Sequence, residues 1–356
     1  MDCDFNGNWD EIKTNMEAWW SGRSIGRPLI AIQAPRLVAE KASESIQKAT
    51  PREFWTEFDV IYKRHLEAFK TYHFAAETYP RFYSNLGPTG LAAFLGSEPI
   101  FRKETVWYQP SVDGPCEVHA KFDPNNPWLL WSLGLLQKGR EVANGEFLAG
   151  ILDLCEHVDV AASLLGTQTL LVSMMDEPSE IHRLLEEIQD CWLRVYDLHC
   201  SLNAVNGFSS YGPFQIMGKG RVAKLQCDAS AMLSPAMFDE FALPLLSDQT
   251  QALDRSMYHL DGEDAIRHLD AVLSMEGLNA LQWTPGAGKA DGGDECWDFI
   301  YERALNKGKS IYALVHPKNF KRFVKKFGAS GVFIATTAQS AQDADFLVEE
   351  ASRLCS

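Results

Sequence analysis

A histidine and an aspartate separated by one residue end a short apolar segment, Ser256-Met-Tyr-His-Leu-Asp-Gly262. Alternate side chains of an extended chain point to the same side, so His259 and Asp261 are expected to face one way. An imidazole and a carboxylate in this arrangement can form half of a metal site or an acid–base pair. They can equally bond each other and close a turn before Gly262, and the residues alone leave these interpretations open.

Alternating strand and helix patterns surround this segment. Predicted strands cover residues 29–33, 73–77, 147–152, 208–211, 223–227, 257–260, 280–283, 310–315 and 332–335. Predicted helices cover residues 8–20, 51–70, 158–174, 178–203, a stretch from Pro235 onwards, 264–273, 296–307, 317–327 and 341–354. Strands separated by helices form parallel βαβ units, and roughly eight of them favour a closed (β/α)8 TIM barrel. A doubly wound open sheet is the alternative, although no Gly-x-Gly-x-x-Gly or Walker sequence follows a strand.

The chain is expected to form one α/β domain over residues 1–356, because barrels of this type often reach such a length. Residues 1–70 are predicted to form an N-terminal helical extension. Residues 99–127 are predicted to form a hairpin insertion with Asp113-Gly114 as its turn. The insertion carries Trp107, which could cover a pocket.

The C-terminal ends of the strands carry the active site in barrels of this type. Polar and aromatic side chains occupy these ends, namely Glu77 and Tyr79, Asp153, Tyr211, Asp228, His259 and Asp261, Gln282 and Trp283, His316, and Thr336 and Thr337. We therefore predict that this ring lines a functional pocket.

Four members of the ring are candidate catalytic residues: His259, Asp261, Glu77 and Asp228. Glu77 follows a short apolar strand and could act as a general acid, or it could form an ion pair with Arg81. Asp228 could be a pocket carboxylate or the cap of a loop.

Five members are candidates for substrate binding: Tyr79, Trp107, Tyr211, Trp283 and His316. Trp283 could stack on a flat substrate, or it could belong to the core. His316 precedes Pro317 and could simply begin a helix.

Composition limits the classes of function. The formal net charge of -15 argues against nucleic-acid binding, which needs a basic surface. No apolar run approaches the roughly 20 residues that span a bilayer, and the acidic start Met-Asp-Cys-Asp is unlike a secretory signal. The 8 cysteines form no Cys-x-x-Cys pair and are expected to be reduced thiols. We therefore expect a cytoplasmic protein that acts on a small molecule, and a homodimer is compatible with an acidic barrel of this size.

Four segments, in order, resemble the uroporphyrinogen decarboxylase superfamily: residues 86–96 (LGPTGLAAFLG), 160–171 with Asp176-Glu-Pro178, 233–244 (LSPAMFDEFALP) and 258–262 (YHLDG). The resemblance spans about residues 75–350. It implies a (β/α)8 barrel with a deep pocket. The superfamily contains decarboxylases of haem synthesis and zinc-dependent methyltransferases that exchange methyl groups with corrinoid proteins.

The chain departs from both branches at key positions. The arginine-rich segment by which the decarboxylases bind porphyrinogen carboxylates resembles only Ile32-Gln-Ala-Pro-Arg36 here, so that substrate is not expected. The methyltransferases carry His-x-Cys and a later cysteine, where this chain has His259-Leu-Asp261 and Ile334-Ala-Thr-Thr-Ala338.

The resemblance implies a methyltransferase-like enzyme. His259 and Asp261 are then candidate zinc ligands, and the partner is a corrinoid protein or a small methyl donor. One alternative is a metal-free decarboxylase or lyase in which His259 works as an acid or base. The other is a barrel that binds a small molecule without catalysis.

Overall fold

The computed structural model describes residues 8–36, 44–110, 114–204 and 207–356. Its strands are β1 (Leu29–Pro35), β2 (Tyr72–Ala76), β3 (Arg81–Tyr83), β4 (Pro99–Phe101), β5 (Val106–Tyr108), β6 (Leu148–Gly150), β7 (Phe208–Tyr211), β8 (Ile216–Lys219), β9 (Val222–Gln226), β10 (Arg255–Asp261), β11 (Ala280–Thr284), β12 (Ser310–Leu314) and β13 (Val332–Thr337).

Its α-helices are α1 (Trp9–Trp20), α2 (Glu44–Lys48), α3 (Pro51–Thr56), α4 (Phe58–Thr71), α5 (Gly90–Phe94), α6 (Pro127–Ala143), α7 (His157–Leu165), α8 (Thr167–Asp176), α9 (Pro178–Asn203), α10 (Pro235–Met237), α11 (Leu243–Ala252), α12 (Leu269–Ser274), α13 (Asp298–Asn306), α14 (Pro317–Phe327) and α15 (Ala341–Cys355). A π-helical turn, Phe238–Ala242, joins α10 to α11.

The principal sheet has seven strands in the order β2-β1-β13-β12-β11-β10-β9. All neighbours in it are parallel except β1 and β2, which are antiparallel. The parallel pair β3 and β6 is continued to β7 by a bridge between Ile151 and Tyr211. Within the described residues, these hydrogen bonds form a large parallel sheet and a smaller one, without a ladder that closes them into a ring.

The predicted strands are confirmed, with ends that differ by at most two residues. Two predicted helices are each broken in two. The first breaks at Glu57, between α3 and α4, and the second at Gly166, between α7 and α8. Gly166 adopts a φ of 83°, which favours glycine, and the axes of α7 and α8 differ by 108°.

Two predictions about the first third of the chain need correction. Leu29–Pro35 lies inside the principal sheet between β2 and β13, so the sheet begins within the range assigned to a helical extension. The insertion does contain a hairpin, β4 with β5, but the hairpin closes where Arg102 N–H donates to Thr105 O at 2.9 Å. The predicted turn at Asp113 lies outside the described residues.

Helix α1 covers the N-terminal ends of the parallel strands. Trp19 is fully buried, donates from Nε1 to Ile311 O at 3.1 Å and lies edge-on to Phe333. Trp20 donates from Nε1 to Met217 O at 2.9 Å. Because α1 occupies this end of the sheet, the opposite, C-terminal edge is the one that remains available for a site.

No single helix in the described ranges is long and apolar enough to cross a membrane. Helices α7 and α8 meet the length and composition criteria only when they are taken together across their bend.

Candidate metal centre and its cavity

Three neighbouring parallel strands present polar side chains on one face. His259 on β10 is in register with Gln226 on β9 and Gln282 on β11, and Asp261 is in register with Thr284. The alternate residues, Leu225, Leu260 and Trp283, are buried in the hydrophobic core. The period of two therefore separates a polar face from an apolar one along these strands.

The carboxylates of Asp228 and Asp261 and the imidazole of His259 converge at the C-terminal ends of β9 and β10. One ligand atom from each residue lies within 4.8 Å of the others. His259 Nε2 lies 3.9 Å from Asp261 Oδ2, which is too long for a hydrogen bond. The two residues therefore face the same side as predicted, without bonding each other to close a turn.

The amide of Gln282 orients His259. Its Nε2 donates to Trp283 O at 2.8 Å and to Thr284 Oγ1 at 3.0 Å, so its Oε1 is left to face His259 Nδ1 in a short contact. Because a carbonyl oxygen only accepts, Nδ1 must carry the proton and Nε2 presents its lone pair toward Asp261. Burial and the positive charge of Lys224 lower the pKa of His259, which favours the neutral ring.

Asp228 is held from two sides although its side chain is exposed to solvent. Gln226 Nε2 donates to Asp228 Oδ2 at 2.9 Å. The buried carboxylate of Asp159 accepts the backbone N–H groups of Asp228 and Ala229, each at 2.9 Å. Partial desolvation of the carboxylate raises the pKa of Asp228 to about 6. The positive charge of Lys224 opposes this rise, and the negative charge of Asp261 adds to it.

Lys224 is fully buried beneath the cluster. Its Nζ donates to Asp153 Oδ1 at 2.9 Å and Oδ2 at 3.0 Å, and it also contacts Gln226 Oε1. Burial alone would lower the pKa of Lys224, but Asp153 outweighs burial and raises it. Tyr211 donates from its hydroxyl to Asp153 Oδ1 at 2.8 Å. The result is a charged, hydrogen-bonded floor that connects through Gln226 to Asp228.

A cavity of about 620 Å³ lies beside the cluster, at the C-terminal ends of β1, β11, β12 and β13. Thr284, Tyr312 and His316 line it, together with Phe214. Phe214 and His259 have ring centroids 5.3 Å apart, and Thr284 is the strand partner of Asp261. The cavity therefore reaches the two side chains that border the cluster.

The loop between β7 and β8 forms one wall of this cavity and begins at Gly212. A Cβ atom there would lie 2.6 Å from the side chain of Tyr83 and 2.8 Å from Ile151 O. Only glycine allows this close approach, and the loop thereby places Phe214 over His259.

Glu77 is not part of the cluster. It is buried, forms two hydrogen bonds of 2.8 Å with Arg27, and accepts from Ile30 N at 2.8 Å and Asn15 Nδ2 at 2.9 Å. The antiparallel direction of β2 places Glu77 beside the beginning of β1, at the end of the sheet opposite to His259. The predicted pairing with Arg81 is replaced by pairing with Arg27.

The predicted substrate-binding aromatics have different surroundings. Trp283 is fully buried and packs edge-on against Trp297, so it belongs to the core and cannot stack on a substrate. Trp107 is 61% exposed on β5 and does not line the 620 Å³ cavity. Tyr79 is buried and lines a neighbouring cavity, described below. Tyr211 contacts Asp153 in the floor.

His316 combines two of the predicted roles. Its Nδ1 accepts from Lys318 N at 3.2 Å and caps α14, and the residue also lines the 620 Å³ cavity. The cap is a structural role, and the cavity position leaves the side chain next to any bound molecule.

Several site residues were missed from the sequence, chiefly Lys224, Gln226, Asp159 and Phe214. A lysine within the apolar strand Val222–Gln226 was a usable signal, because a strand buried on both faces holds a charge only with a partner. Asp159 and Phe214 gave no comparable signal, since a helical turn and a loop carry them to the site.

The donor set fits a catalytic divalent metal. One imidazole nitrogen and two carboxylate oxygens are ligands that zinc accepts, and three protein ligands leave a position free for substrate. The side chain of Asp261 is 40% exposed, so the site is open on one side. No Sγ atom of the described cysteines belongs to the group. The ligands are therefore hard oxygen and nitrogen donors, without the soft sulfur of a thiolate site.

No protein-family model and no curated protein sequence matches the chain. Among solved structures, a methyltransferase from Methanosarcina mazei is similar, with a TM-score of 0.65 and 12% sequence identity. The similarity covers 97% of this chain and 99% of that chain. At this identity it shows a shared fold, which extends over nearly the whole of both chains.

Proposed function

We propose that this protein is a metal-dependent methyl-transferring enzyme of the uroporphyrinogen decarboxylase superfamily. The observation that carries the proposal is the convergence of Asp228, His259 and Asp261 within 4.8 Å beside a 620 Å³ cavity. The fold shared with a methyltransferase supports it. So does the position of His259-Leu-Asp261, where the methyltransferases of the superfamily carry His-x-Cys.

The proposal includes a (β/α)8 barrel. The six parallel strands of the principal sheet, together with β3, β6 and β7 between β1 and β9, would provide nine candidate strands for the eight positions of that barrel, with β2 as an added antiparallel strand. The parallel pairing of β3 with β6 and the bridge from β6 to β7 support this arrangement. In such a barrel the cluster would occupy the usual position of an active site, at the C-terminal ends of the strands.

A zinc ion bound by Asp228, His259 and Asp261 would supply Lewis acidity, which lowers the pKa of an acceptor thiol and makes it a nucleophile. The chain's own residues prepare that site. Gln282 keeps the lone pair of His259 Nε2 directed at the cluster, and Gln226 and Asp159 hold Asp228. Phe214 shields His259 from the cavity side. A corrinoid protein, or a small methyl donor, is the proposed source of the methyl group.

A metal-free lyase or decarboxylase is the second candidate. The pKa of Asp228, raised to about 6, suits a general acid that works near neutral pH, and no thiolate completes the metal cluster in the described residues. In that case His259 and Asp228 would exchange protons with the substrate directly.

Metal analysis of the purified protein separates the two candidates. We expect about one zinc ion per chain after purification without chelator, because three ligands converge. His259→Ala and Asp261→Asn should each lose it. Asp264→Asn is the matched control, because Asp264 is exposed, lies in the 3₁₀ helix Glu263–His268 directly after β10 and pairs only with Arg267 among the described residues.

Wild-type protein that takes up no zinc, manganese or iron would contradict the metal site and leave the acid–base candidate. The methyl-transfer assignment has its own readout, which is zinc-dependent loss of the methyl group of methylcobalamin in the presence of small thiols. Stoichiometric zinc without any such turnover across a thiol panel would count against methyl transfer.

A further inference from the structure

A second cavity of about 290 Å³ opens off the first one. It lies between α4 and residues 72–83, and it shares Gln33, Arg81 and Gln215 with the 620 Å³ cavity. Its other lining residues include Arg64, Tyr79 and Tyr83, and no Asp or Glu lines it within the described chain. The compartment is therefore cationic and aromatic in a protein that has 48 acidic and only 33 basic residues.

Arg81 stands at the junction of the two cavities without a carboxylate partner among the described residues. Its buried Nη1 has no hydrogen-bond acceptor. Its Nη2 makes a long contact of 3.4 Å with Pro213 O, and the guanidinium lies 5.9 Å from the ring of Tyr83. A guanidinium presents a planar fork of donors that matches a carboxylate or phosphate group, and in Arg81 the unpartnered Nη1 is available for an anion.

The loop that contacts Arg81 also contacts His259. Pro213 accepts from Arg81, and the next residue, Phe214, lies over His259. Adjacent residues make these two contacts, so Arg81 and the metal cluster are on the order of 10 Å apart. The 620 Å³ cavity extends from Arg81 to Phe214 and Thr284, the residues that border the cluster.

The opposite wall supplies a second polar atom without a partner. Thr336 Oγ1 is buried, lines the 620 Å³ cavity and has no hydrogen bond to any described residue. Gln33 and Gln215 lie between the two cavities, and Gln215 Nε2 donates to Tyr79 O at 3.3 Å. Uncharged polar side chains thus lie near Arg81, and the acidic residue that lines the 620 Å³ cavity, Asp291, already accepts from His316 N and Asn319 Nδ2.

We propose that Arg81 is an anion-binding residue and that the substrate carries an acidic group, a carboxylate or a phosphate, about 10 Å from the group that reacts at the cluster. The proposal rests on the function proposed above, because it places the substrate in the same cavity. It adds two points to that function. The substrate carries an acidic group, and Arg81 binds this group at the end of the substrate that does not react.

The test is binding of simple anions to the full chain. We expect glutarate or inorganic phosphate to bind in calorimetric titrations and to raise the melting temperature, whereas the uncharged diamide of glutarate does neither. Arg81→Gln should weaken this binding by roughly 10- to 100-fold, the usual loss for a charge-assisted pair. Arg81→Lys should restore part of it. Arg303→Gln, which removes an exposed charge paired with Asp270, is the matched control and should bind normally.

The outcomes separate this proposal from the metal site. Asp261→Asn should lose zinc and keep anion binding, and Arg81→Gln should keep zinc and lose anion binding. If wild-type protein binds neither glutarate nor phosphate, or if Arg81→Gln binds them as wild type does, the anion site is refuted while the metal site stands. If anions bind normally and no metal does, the proposed function fails and the anion site stands.

Discussion

His259 owes its orientation to an uncharged neighbour. Gln282 fixes which ring nitrogen carries the proton, because its own amide nitrogen is committed to Trp283 O and Thr284 Oγ1. Such outer partners orient metal-binding histidines in many sites. The amide is therefore as much a part of the proposed centre as the ligands.

Replacement of Gln282 by leucine tests this dependence. We expect zinc affinity to fall by roughly 10- to 100-fold, because the imidazole loses its fixed tautomer and direction. Competition titration with a coloured zinc chelator measures the change. Gln137→Leu, at an exposed amide on α6, is the control. Unchanged affinity in the Gln282 variant would show that the ring is held by packing alone.

Glu77 stabilises the folded chain. Its carboxylate is 1% exposed and is satisfied by Arg27, Asn15 and Ile30. Glu77→Gln should lower the free energy of unfolding by about 3–5 kcal/mol, because a buried arginine loses its charged partner. Urea unfolding measures this loss. The zinc content of this variant should stay at the wild-type level. If the variant instead lost zinc and kept its stability, Glu77 would have to belong to the metal centre.

The sequence revealed the pair His259 and Asp261 because strand periodicity is local. It could not reveal which side chains from other elements would join them. Asp228 was a candidate with two equal interpretations, and only the turn held by Asp159 directs it to the cluster. Trp283 was misassigned as a substrate contact because the sequence does not say which face of β11 meets the helices.

Strand direction explains the largest error at the level of elements. The strands were read as parallel, so Glu77 at the end of the second one was placed in the ring. Strand β2 follows α4 and runs antiparallel to β1, with Ala31 opposite Ala76, which reverses the end at which Glu77 lies. Pairing direction depends on long-range contacts, and a short apolar run does not encode it.

Helices α6 and α9 pack around a histidine that is buried in its neutral form. His199 Nδ1 donates to Val195 O at 2.8 Å, and Nε2 accepts from Ser132 Oγ at 2.9 Å. Burial lowers the pKa of His199 to about 4, below the value of 6.5 expected in the unfolded chain. The unfolded state therefore binds the proton first as the pH falls.

Stability should accordingly decrease as the pH falls from about 6.5 to 4, and His199 should contribute about 3 kcal/mol to that decrease. Free energies of unfolding measured in urea at several pH values give the slope. His199→Gln should have a shallower slope over this range, and Gln137→Leu, at an exposed and non-titrating side chain on α6, should keep the wild-type slope. Equal slopes for all three proteins would contradict the assignment.

The proposed metal links the ends of two strands of the principal sheet, β9 and β10, so its binding should stabilise the whole molecule against unfolding. At a zinc concentration one hundred times the dissociation constant, the native state gains about 2.7 kcal/mol. For a chain of this size, the melting temperature should rise by about 4 °C. Scanning calorimetry with and without zinc measures the shift, and Asp261→Asn should show none. A similar shift in that variant would mean that zinc binds elsewhere.

The alternation of strands and helices was enough to predict an α/β chain with a parallel sheet. The predicted barrel already places the first strand beside the last one, as the pairing of Leu29 with Phe333 does, but the sequence could not show that β2 would pair with β1 in the antiparallel direction. The same holds for the 620 Å³ cavity, whose wall at Gly212 comes from a loop between two short strands.

The pairing of β1 with β13 brings together segments about 300 residues apart in the chain. During synthesis, at roughly 5–20 residues per second, β1 would wait about 15–60 s for its neighbour to be made. Through that interval, the apolar side chains from Leu29 to Ile32 and the tryptophans of α1 lack the later strands with which they pack in the native structure. Synthesis of β13 therefore decides when β1 can complete its pairing, and a nascent chain of this protein should depend on chaperones until β13 has been made.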